Sequence, residues 1–318
     1  MAKIFAVLLT IFVFQASVQA ADKIRIGFPE AAAPFVSLPL GQKRGFFQQE
    51  GLQTEFILMR PTAVVPALLS GELDYYTVIA GGVRAAIQGL PVKVLACYMP
   101  GSPIALIARP EFKSAQELRG KTIGIQTFGG NLHDQARLMF KHFSLDPDKE
   151  VKFLALGPTE ARFAAMKQGL VAATLVGPPN DFVGKKMGFV VLARAHELFN
   201  WPTSGLAASV KKIKETADEI KRVIKTGIRA NRYIQDNREG TIQFMMEWLK
   251  SNKEMSTATY DNSLKAFNDD GNLPEDGLRL IIEEAKKATK VNREISTSDV
   301  ADLTILKEAQ KELGIKGK

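Results

Sequence analysis

The stretch Lys121-Thr122-Ile123-Gly124-Ile125-Gln126-Thr127-Phe128-Gly129-Gly130 repeats a pattern that opens with Lys23-Ile24-Arg25-Ile26-Gly27, about 98 residues earlier. In each copy an alternating strand is followed by a loop of small residues, a helix and a second strand. Each copy then closes on a further strand, after Leu69-Ser70-Gly71-Glu72-Leu73-Asp74 in the first and Lys167-Gln168-Gly169-Leu170 in the second. Few positions are identical, so chance similarity between two α/β units is the alternative. The pattern predicts two similar α/β lobes with a ligand cleft between them.

Strands and helices alternate along both copies, which predicts an α/β fold of mostly parallel sheets with helices on both faces. Breaks at Met99-Pro100-Gly101-Ser102-Pro103 and Trp201-Pro202-Thr203-Ser204-Gly205 indicate two crossings between the lobes. We therefore expect lobe one to comprise residues 21–103 plus 204–318, and lobe two residues 104–203. Beyond residue 209 the pattern predicts a helical C-terminal region, with helices at 210–236, 240–252, 256–268, 274–288 and 298–313.

An apolar leader precedes the first strand. Lys3, the apolar run from Ile4 to Phe14 and the small residues of Val18-Gln19-Ala20 predict a signal peptide over 1–20, cleaved after Ala20. The run is too short to cross a bilayer, which takes about 20 residues. An uncleaved anchor or a buried N-terminal helix is the alternative. The single cysteine, Cys97, excludes an internal disulfide and suits a periplasmic protein.

The chain carries a formal net charge of +8. Its lysine runs, such as Lys211-Lys212-Ile213-Lys214 and Lys286-Lys287, are mixed with acidic residues and lack interleaved aromatic residues. This pattern predicts solvated helix faces and no nucleic-acid partner. The surplus of positive charge favours an anionic ligand only weakly, through electrostatic steering.

The loops that follow the strands hold the candidate ligand-binding residues. Two glycines precede a helix start near Asn131, where free N–H groups and the helix dipole favour an oxyanion such as a sulfonate or nitrate. The alternative is that the glycines merely turn the chain. Glu30 is either a solvent-exposed loop charge or the partner of a ligand amine. The predicted ligand-binding set is Glu30, Ala31, Phe35, Thr77, Ile79, Ala80, Gly81, Thr127, Phe128, Gly129, Gly130, Asn131, Gly177, Pro178 and Asn180.

Catalytic and metal-binding patterns are weak in this chain. His133, His142 and His196 lack metal-ligand spacing, and the sequence contains neither a nucleophile elbow nor an evident acid/base carboxylate pair. The sequence therefore predicts no metal, no cofactor and no enzymatic activity. His133 follows the two glycines closely, so it either touches a ligand or simply starts the helix. Trp201 is a candidate for the lining of the hinge.

Several segments, in this order and spacing, resemble the nitrate/sulfonate/taurine-type solute-binding proteins of bacterial ABC importers. The similarity covers essentially the whole mature chain and rests on Leu40-Gly41-Gln42-Lys43-Arg44-Gly45-Phe46-Phe47, Ala67-Leu68-Leu69-Ser70-Gly71-Glu72-Leu73-Asp74, Gly89-Leu90-Pro91-Val92-Lys93, Glu117-Leu118-Arg119-Gly120-Lys121, Ala164-Ala165-Met166-Lys167-Gln168-Gly169 and Gly177-Pro178-Pro179.

The resemblance implies a two-lobed (type II) periplasmic-binding-protein fold that closes on a small molecule by hinge bending. It implies a monomer that delivers its ligand to an ABC permease in the inner membrane. The predicted ligand loops contain no arginine to clamp a sulfonate, Arg84 being the nearest, so the ligand class stays open. The alternatives are a pyrimidine-type vitamin precursor as ligand, an enzyme on the same fold, or a periplasmic sensor.

Overall fold

The computed structural model describes residues 22–315, which form two five-stranded sheets covered by helices. The predicted signal peptide and its cleavage after Ala20 lie outside the described residues. Within the described range, no helix is both long and apolar enough to cross a membrane. The strands are β1 (Asp22–Phe28), β2 (Leu52–Leu58), β3 (Tyr75–Val78), β4 (Val92–Met99), β5 (Ala105–Ala108), β6 (Thr122–Ile125), β7 (Lys152–Ala155), β8 (Ala173–Val176), β9 (Val190–Arg194) and β10 (Ser204–Ser209).

The helices connect these strands and then fill the C-terminal third of the chain. They are α1 (Ser37–Lys43), α2 (Phe46–Gln49), α3 (Pro61–Ser70), α4 (Ile79–Ile87), α5 (Asn131–His142), α6 (Thr159–Lys167), α7 (Asn180–Lys186), α8 (Val210–Glu215), α9 (Ala217–Asp236), α10 (Arg238–Leu249), α11 (Lys253–Ser263), α12 (Glu275–Thr289), α13 (Thr297–Val300) and α14 (Thr304–Glu312).

The two sheets share one strand order. The first is β2-β1-β3-β10-β4 and the second is β7-β6-β8-β5-β9. In both, the opening strand of the repeat lies between its second and third strands, with Ile26 paired to Tyr75 and Ile123 to Ala173. The internal repeat predicted from the sequence is therefore confirmed in three dimensions.

Each sheet contains one strand that runs against the other four. β10 is antiparallel to β3 and β4, and β5 is antiparallel to β8 and β9. The prediction of mostly parallel strands is correct for four strands of each sheet, but the reversed fifth strand makes both sheets mixed. Each reversed strand starts at the sheet edge where its neighbour ends, and it therefore runs in the opposite direction. Ser204, the first residue of β10, pairs with Met99, the last of β4, and Ala105 of β5 pairs in the same way with Arg194 of β9.

The chain crosses between the sheets twice, after β4 and after β9, and the two crossings run side by side. Thr203 N donates to Met99 O over 2.8 Å, and Trp201 N donates to Pro100 O over 3.0 Å. His196 N donates to Ser102 O over 3.0 Å on the second-sheet side. The two predicted crossovers are thus confirmed, and their pairing gives a two-stranded hinge. The lobe boundaries at residues 103/104 and 203/204 remain a prediction.

Helices bury both faces of the first sheet. On one face α9 places Ile220, Val223 and Ile224 against Ile24 and Leu206 of the strands, all fully buried. On the other face α3, α4 and α12 form a second apolar cluster with the sheet. Each such aliphatic side chain contributes about 1.5–3 kcal/mol by leaving water. The sheet is therefore a rigid base for the loops at its carboxyl edge.

The helical C-terminal region is confirmed, with α12 within one residue of the predicted bounds, but two of the predicted helices are interrupted. The predicted helix 210–236 is broken at Thr216 into α8 and α9. The predicted helix 298–313 is broken because Ala301 pairs with Val94 at the sheet, which interrupts the helical hydrogen bonds. Helix α11 begins at Lys253 rather than 256, since the Asn252 side chain caps it by accepting a hydrogen bond from Met255 N.

Candidate ligand-binding cleft

A cavity of about 280 Å³ lies between the loops of the two sheets and against the hinge. Its walls come from five segments: the loop after β1, the end of β3 with the start of α4, the start of α5, the second crossing, and α12. The lining residues are Pro29, Glu30, Phe35, Tyr76, Val78, Ala80, Gly81, Arg84, Gly129, Gly130, Asn131, Asp134, Trp201, Pro202, Thr203, Ile281, Glu284 and Ala285.

Strand direction explains why these segments meet. β1 and β3 are parallel, so the loops that follow Phe28 and Val78 leave the same edge of the first sheet. The loop after β6 reaches α5 through Gly129, whose φ of 68° lies in the left-handed region that favours glycine. Gly130 then adopts an extended conformation as the N-cap of α5.

His133 holds the loop that precedes α5. Its Nδ1 accepts a hydrogen bond from Gly129 N over 3.1 Å. Its ring makes edge contacts with Phe128 and Phe153, at centroid distances of 5.5 and 4.9 Å. Burial, followed by the nearby Arg137 charge, lowers the pKa of His133, which favours the neutral ring that can accept at Nδ1. Since His133 is absent from the cavity wall, its role is to position the loop.

Trp201 ties the hinge to the start of α5. The side chain is 3% exposed, and its Nε1 donates to Asn131 Oδ1 over 3.1 Å. The same oxygen accepts from Gln135 Nε2 over 3.1 Å. The indole ring therefore forms part of the cavity wall, while its N–H group is hydrogen-bonded to Asn131 at the start of α5.

The charged groups of the wall are mostly acidic. Burial, followed by the neighbouring Glu284 carboxylate, raises the pKa of Asp134 to about 6, against smaller opposing effects of Arg84, Arg137 and Lys287. Glu284 is hydrogen-bonded to Lys287 Nζ at 2.7 Å. Arg137 is turned toward Asp148, which it binds with two hydrogen bonds of 2.6 and 2.7 Å.

Seven of the residues predicted from the sequence meet at the cavity wall. They come from both repeats, and their contact with a ligand remains a prediction. The seven are Glu30, Phe35, Ala80, Gly81, Gly129, Gly130 and Asn131.

The other predicted residues are not in the wall. Thr77 is 4% exposed and its hydroxyl donates to Gly27 O over 3.1 Å, so it braces β1 against β3 rather than facing a ligand. Ile79 is 1% exposed within the apolar core, because the first residue of α4 turns inward. Phe128 lies over His133 with 60% of its surface exposed. Ala31 and Thr127 also lie outside the wall, each beside a residue that belongs to it.

The predicted loop Gly177, Pro178 and Asn180 is corrected as well. Asn180 lines a separate surface groove with residues of α6 and α7, including Phe163 and Met187. The loop joins β8 to α7, and its residues are absent from the cavity wall.

Several wall residues escaped the sequence analysis. Asp134 lies four residues after Gly130, where the first helical turn returns to the same face, so the helix period could have indicated it. Tyr76 sits among buried strand residues and looks like core. Ile281 and Glu284 come from α12, about 150 residues further along the chain, and no local pattern marks them. Within residues 22–315, no group of three or more His, Cys, Asp or Glu side chains is arranged to hold a metal ion.

The chain matches known proteins in sequence along most of its length. The sequence profile described as "NMT1/THI5 like" matches residues 34–240. A protein described as a putative binding protein from Brucella abortus (strain 2308) is 25% identical over 250 residues, which is 76% of each chain.

Solved structures share the architecture. A putative periplasmic sulfonate-binding protein, SsuA, of a sulfonate ABC transporter from Methylobacillus flagellatus KT superposes with a TM-score of 0.78 at 14% identity, covering 94% of this chain and 97% of that one. The aliphatic sulphonate-binding SsuA from Escherichia coli gives 0.74 at 16% identity, covering 89% and 93%. The desulfurization enzyme DszB gives 0.66 at 12% identity, covering 92% and 99%. At these identities the likeness establishes the fold, which is that of two-lobed periplasmic binding proteins.

Proposed function

Since the chain belongs to the NMT1/THI5-like family, we propose that it is the solute-binding component of an ABC importer, which holds a small molecule in the cleft between its lobes. The cleft carries this proposal. Its walls come from both sheets and from the second crossing, so a ligand there would touch both lobes and the hinge at once. Contact with both lobes is what allows ligand binding to favour a closed arrangement.

Two features favour binding over catalysis, although a desulfurization enzyme shares the fold. His133 is engaged by Gly129 N and lies outside the wall, so it is poorly placed to act as a base on a ligand. Cys97, the only cysteine, is fully buried in β4, where burial raises the pKa of its thiol far above the ordinary range. The retained alternative, an enzyme on this fold, would have to use carboxylates of the cleft.

Export and the membrane partner are part of the proposal. The leader predicted over residues 1–20 and the names of the structural relatives support a periplasmic protein that serves an inner-membrane permease. The monomeric state expected from the sequence is part of the proposal. Lobe one would comprise residues 21–103 plus 204–318, and lobe two residues 104–203, with the paired crossings as hinge.

A thermal-shift screen of residues 21–318 tests the proposal. The panel contains sulfonates, nitrate, aromatic carboxylates, pyrimidines, amines and amino acids. A ligand at 100 times its dissociation constant adds about 2.7 kcal/mol to stability, which raises the melting temperature by several degrees. In a Trp248→Phe background Trp201 is the remaining tryptophan, so its fluorescence reports events at the cleft.

A carboxylate introduced at the cleft provides the control. Gly130→Asp places charge and bulk in the wall, where an added Cβ already meets Thr127 Cγ2 at 2.9 Å, so we expect the affinity of any cleft ligand to change strongly. Ala161→Asp places the same side chain on an exposed position in the first turn of α6, away from the cleft, and should leave affinity unchanged. Equal effects of the two substitutions on affinity would contradict the location of the site.

A further inference from the structure

The charges that line the cleft are unbalanced. Three carboxylates, Glu30, Asp134 and Glu284, face the cavity together with one guanidinium, Arg84. Glu284 is paired with Lys287 outside the wall. Among the described residues, the side chains of Glu30, Asp134 and Arg84 form no ion pair and no hydrogen bond. Glu30 and Asp134 thus face the single guanidinium of Arg84, which leaves the wall with an excess of one negative charge when all of these groups are ionised.

Three N–H donors at the cavity already have partners within the protein. Gly129 N donates to His133 Nδ1, and Ile79 N at the start of α4 donates to Thr203 O over 3.4 Å. The indole N–H of Trp201 donates to Asn131. The first turn of α5 carries Asp134, and its carboxylate interacts with the positive end of the helix dipole. An oxyanion at the start of α5 would therefore lie beside the like charge of Asp134, and the guanidinium that the wall offers it is that of Arg84.

The surroundings of Asp134 disfavour its ionised form in the free protein. Its carboxylate is half-buried, and both desolvation and Glu284 disfavour the charged form, which raises its pKa to about 6. A positively charged group between these carboxylates would relieve both effects, since an opposite charge within a few ångströms favours the ionised acid.

The remaining walls are apolar and aromatic. Phe35, Tyr76, Trp201 and Ile281 are each buried at the cavity. The faces of aromatic rings attract cations as well as apolar surface. A volume of about 280 Å³ lies at the lower end of the usual range for ligand pockets, so the occupant is small.

We infer that the cleft, taken as the ligand site of the proposed function, selects a small organic cation, a protonated amine or amidinium on a flat apolar body, and that Asp134 and Glu284 determine this preference. The carboxylates bind the cationic nitrogen, and the aromatic walls hold the ring or chain that carries it. Arg84 offsets part of the negative charge.

Three probes of nearly equal size and shape test the sign of charge: benzamidinium, neutral benzamide and benzoate. Titration calorimetry at pH 7.5 should give benzamidinium at least about tenfold tighter binding than benzamide, a difference of about 1.4 kcal/mol, and no detectable binding of benzoate. Asp134→Asn and Glu284→Gln should each weaken benzamidinium about tenfold or more while benzamide is little affected. Glu283→Gln, which changes the exposed neighbour of Glu284 outside the wall, is the matched control and should leave benzamidinium binding unchanged.

Melting temperatures of the variants separate lost recognition from lost folding. Asp134→Asn removes a repulsion and should leave the free protein at least as stable, whereas Glu284→Gln also loses the pair with the exposed Lys287 and should change stability by less than about 1 kcal/mol. Tighter binding of benzoate than of benzamidinium would overturn the inference and leave the proposed function intact. Failure of all three probes also overturns it. The proposed function would be contradicted as well only if no compound of the wider panel changed the melting temperature or the Trp201 fluorescence.

Discussion

Replacing Arg194 by methionine should destabilise the protein strongly, because Arg194 neutralises a carboxylate that has no access to water. Arg194 Nη2 lies 2.6 Å from Asp181 Oδ2, and the two side chains are 9% and 0% exposed. The only other donor recorded at that carboxylate among the described residues is Asn262 Nδ2, which lies 2.7 Å from the same oxygen. Because Asp181 belongs to α7 and Asn262 to α11, the hydrogen bond between these two side chains also joins the two sides of the molecule.

The size of the effect follows from this burial. Leaving one member of a buried ion pair uncompensated costs about 3–5 kcal/mol. The Asn262 hydrogen bond remains in the variant, and such bonds to a charged group are worth about 1.5–3 kcal/mol, so we expect about 3 kcal/mol for Arg194→Met. The double variant Asp181→Asn/Arg194→Met removes both charges and keeps an oxygen for Asn262. It should therefore lie within about 1 kcal/mol of the native protein.

Urea and calorimetric unfolding measure these differences, with each transition analysed separately because a two-lobed protein need not unfold in one step. The neighbouring pair Lys186–Glu254, at 2.6 Å but with side chains 54% and 59% exposed, is the control. Lys186→Met should cost less than about 1 kcal/mol. A cost below about 1 kcal/mol for Arg194→Met, or a double variant as unstable as the single one, would refute the reasoning.

Three further predictions concern the sheet, the thiol and the cleft. Gly205→Ala should prevent folding or cost more than about 3 kcal/mol, because the new Cβ would overlap Ala96 O in the middle of the first sheet; a soluble variant with native circular dichroism and melting temperature would contradict this. Cys97 should react with a thiol reagent only at the rate of unfolding, since its thiol is fully buried; fast labelling of the native protein would show otherwise. The raised pKa of Asp134 means that the native state loses stability as pH rises from about 4 to about 6, so Asp134→Asn should stabilise the protein at pH 7 and have little effect near pH 3.5. After discounting for partial exposure we expect up to about 1 kcal/mol at pH 7; a variant that is stabilised at pH 3.5 and not at pH 7 would contradict this sign.

The sequence by itself determined the architecture and seven of the 18 residues of the cavity wall. Alternating strands and helices, repeated after about 98 residues, specify two α/β units, because side-chain period and turn residues are local properties of the chain. The glycines at 129 and 130 marked the start of α5 for the same reason. Seven wall residues were predicted this way, since loops after parallel strands must share one edge of a sheet.

Only the tertiary structure decided which charged groups line the site and which of the predicted residues are buried. Thr77 and Ile79 lie on a predicted ligand segment, yet the first braces the sheet and the second enters the core. Their chain neighbours Tyr76, Val78 and Ala80 line the cavity, because a shift of one residue along the chain turns the side chain to another face. Glu284 reaches the cleft from a helix about 150 residues beyond Asp134, and its proximity adds to the effect of burial in raising the pKa of Asp134. Electrostatic interaction depends on distance in space rather than along the chain. For that reason the sequence favoured an anion only weakly and left the ligand class open, and the cation that we infer rests on the folded cleft.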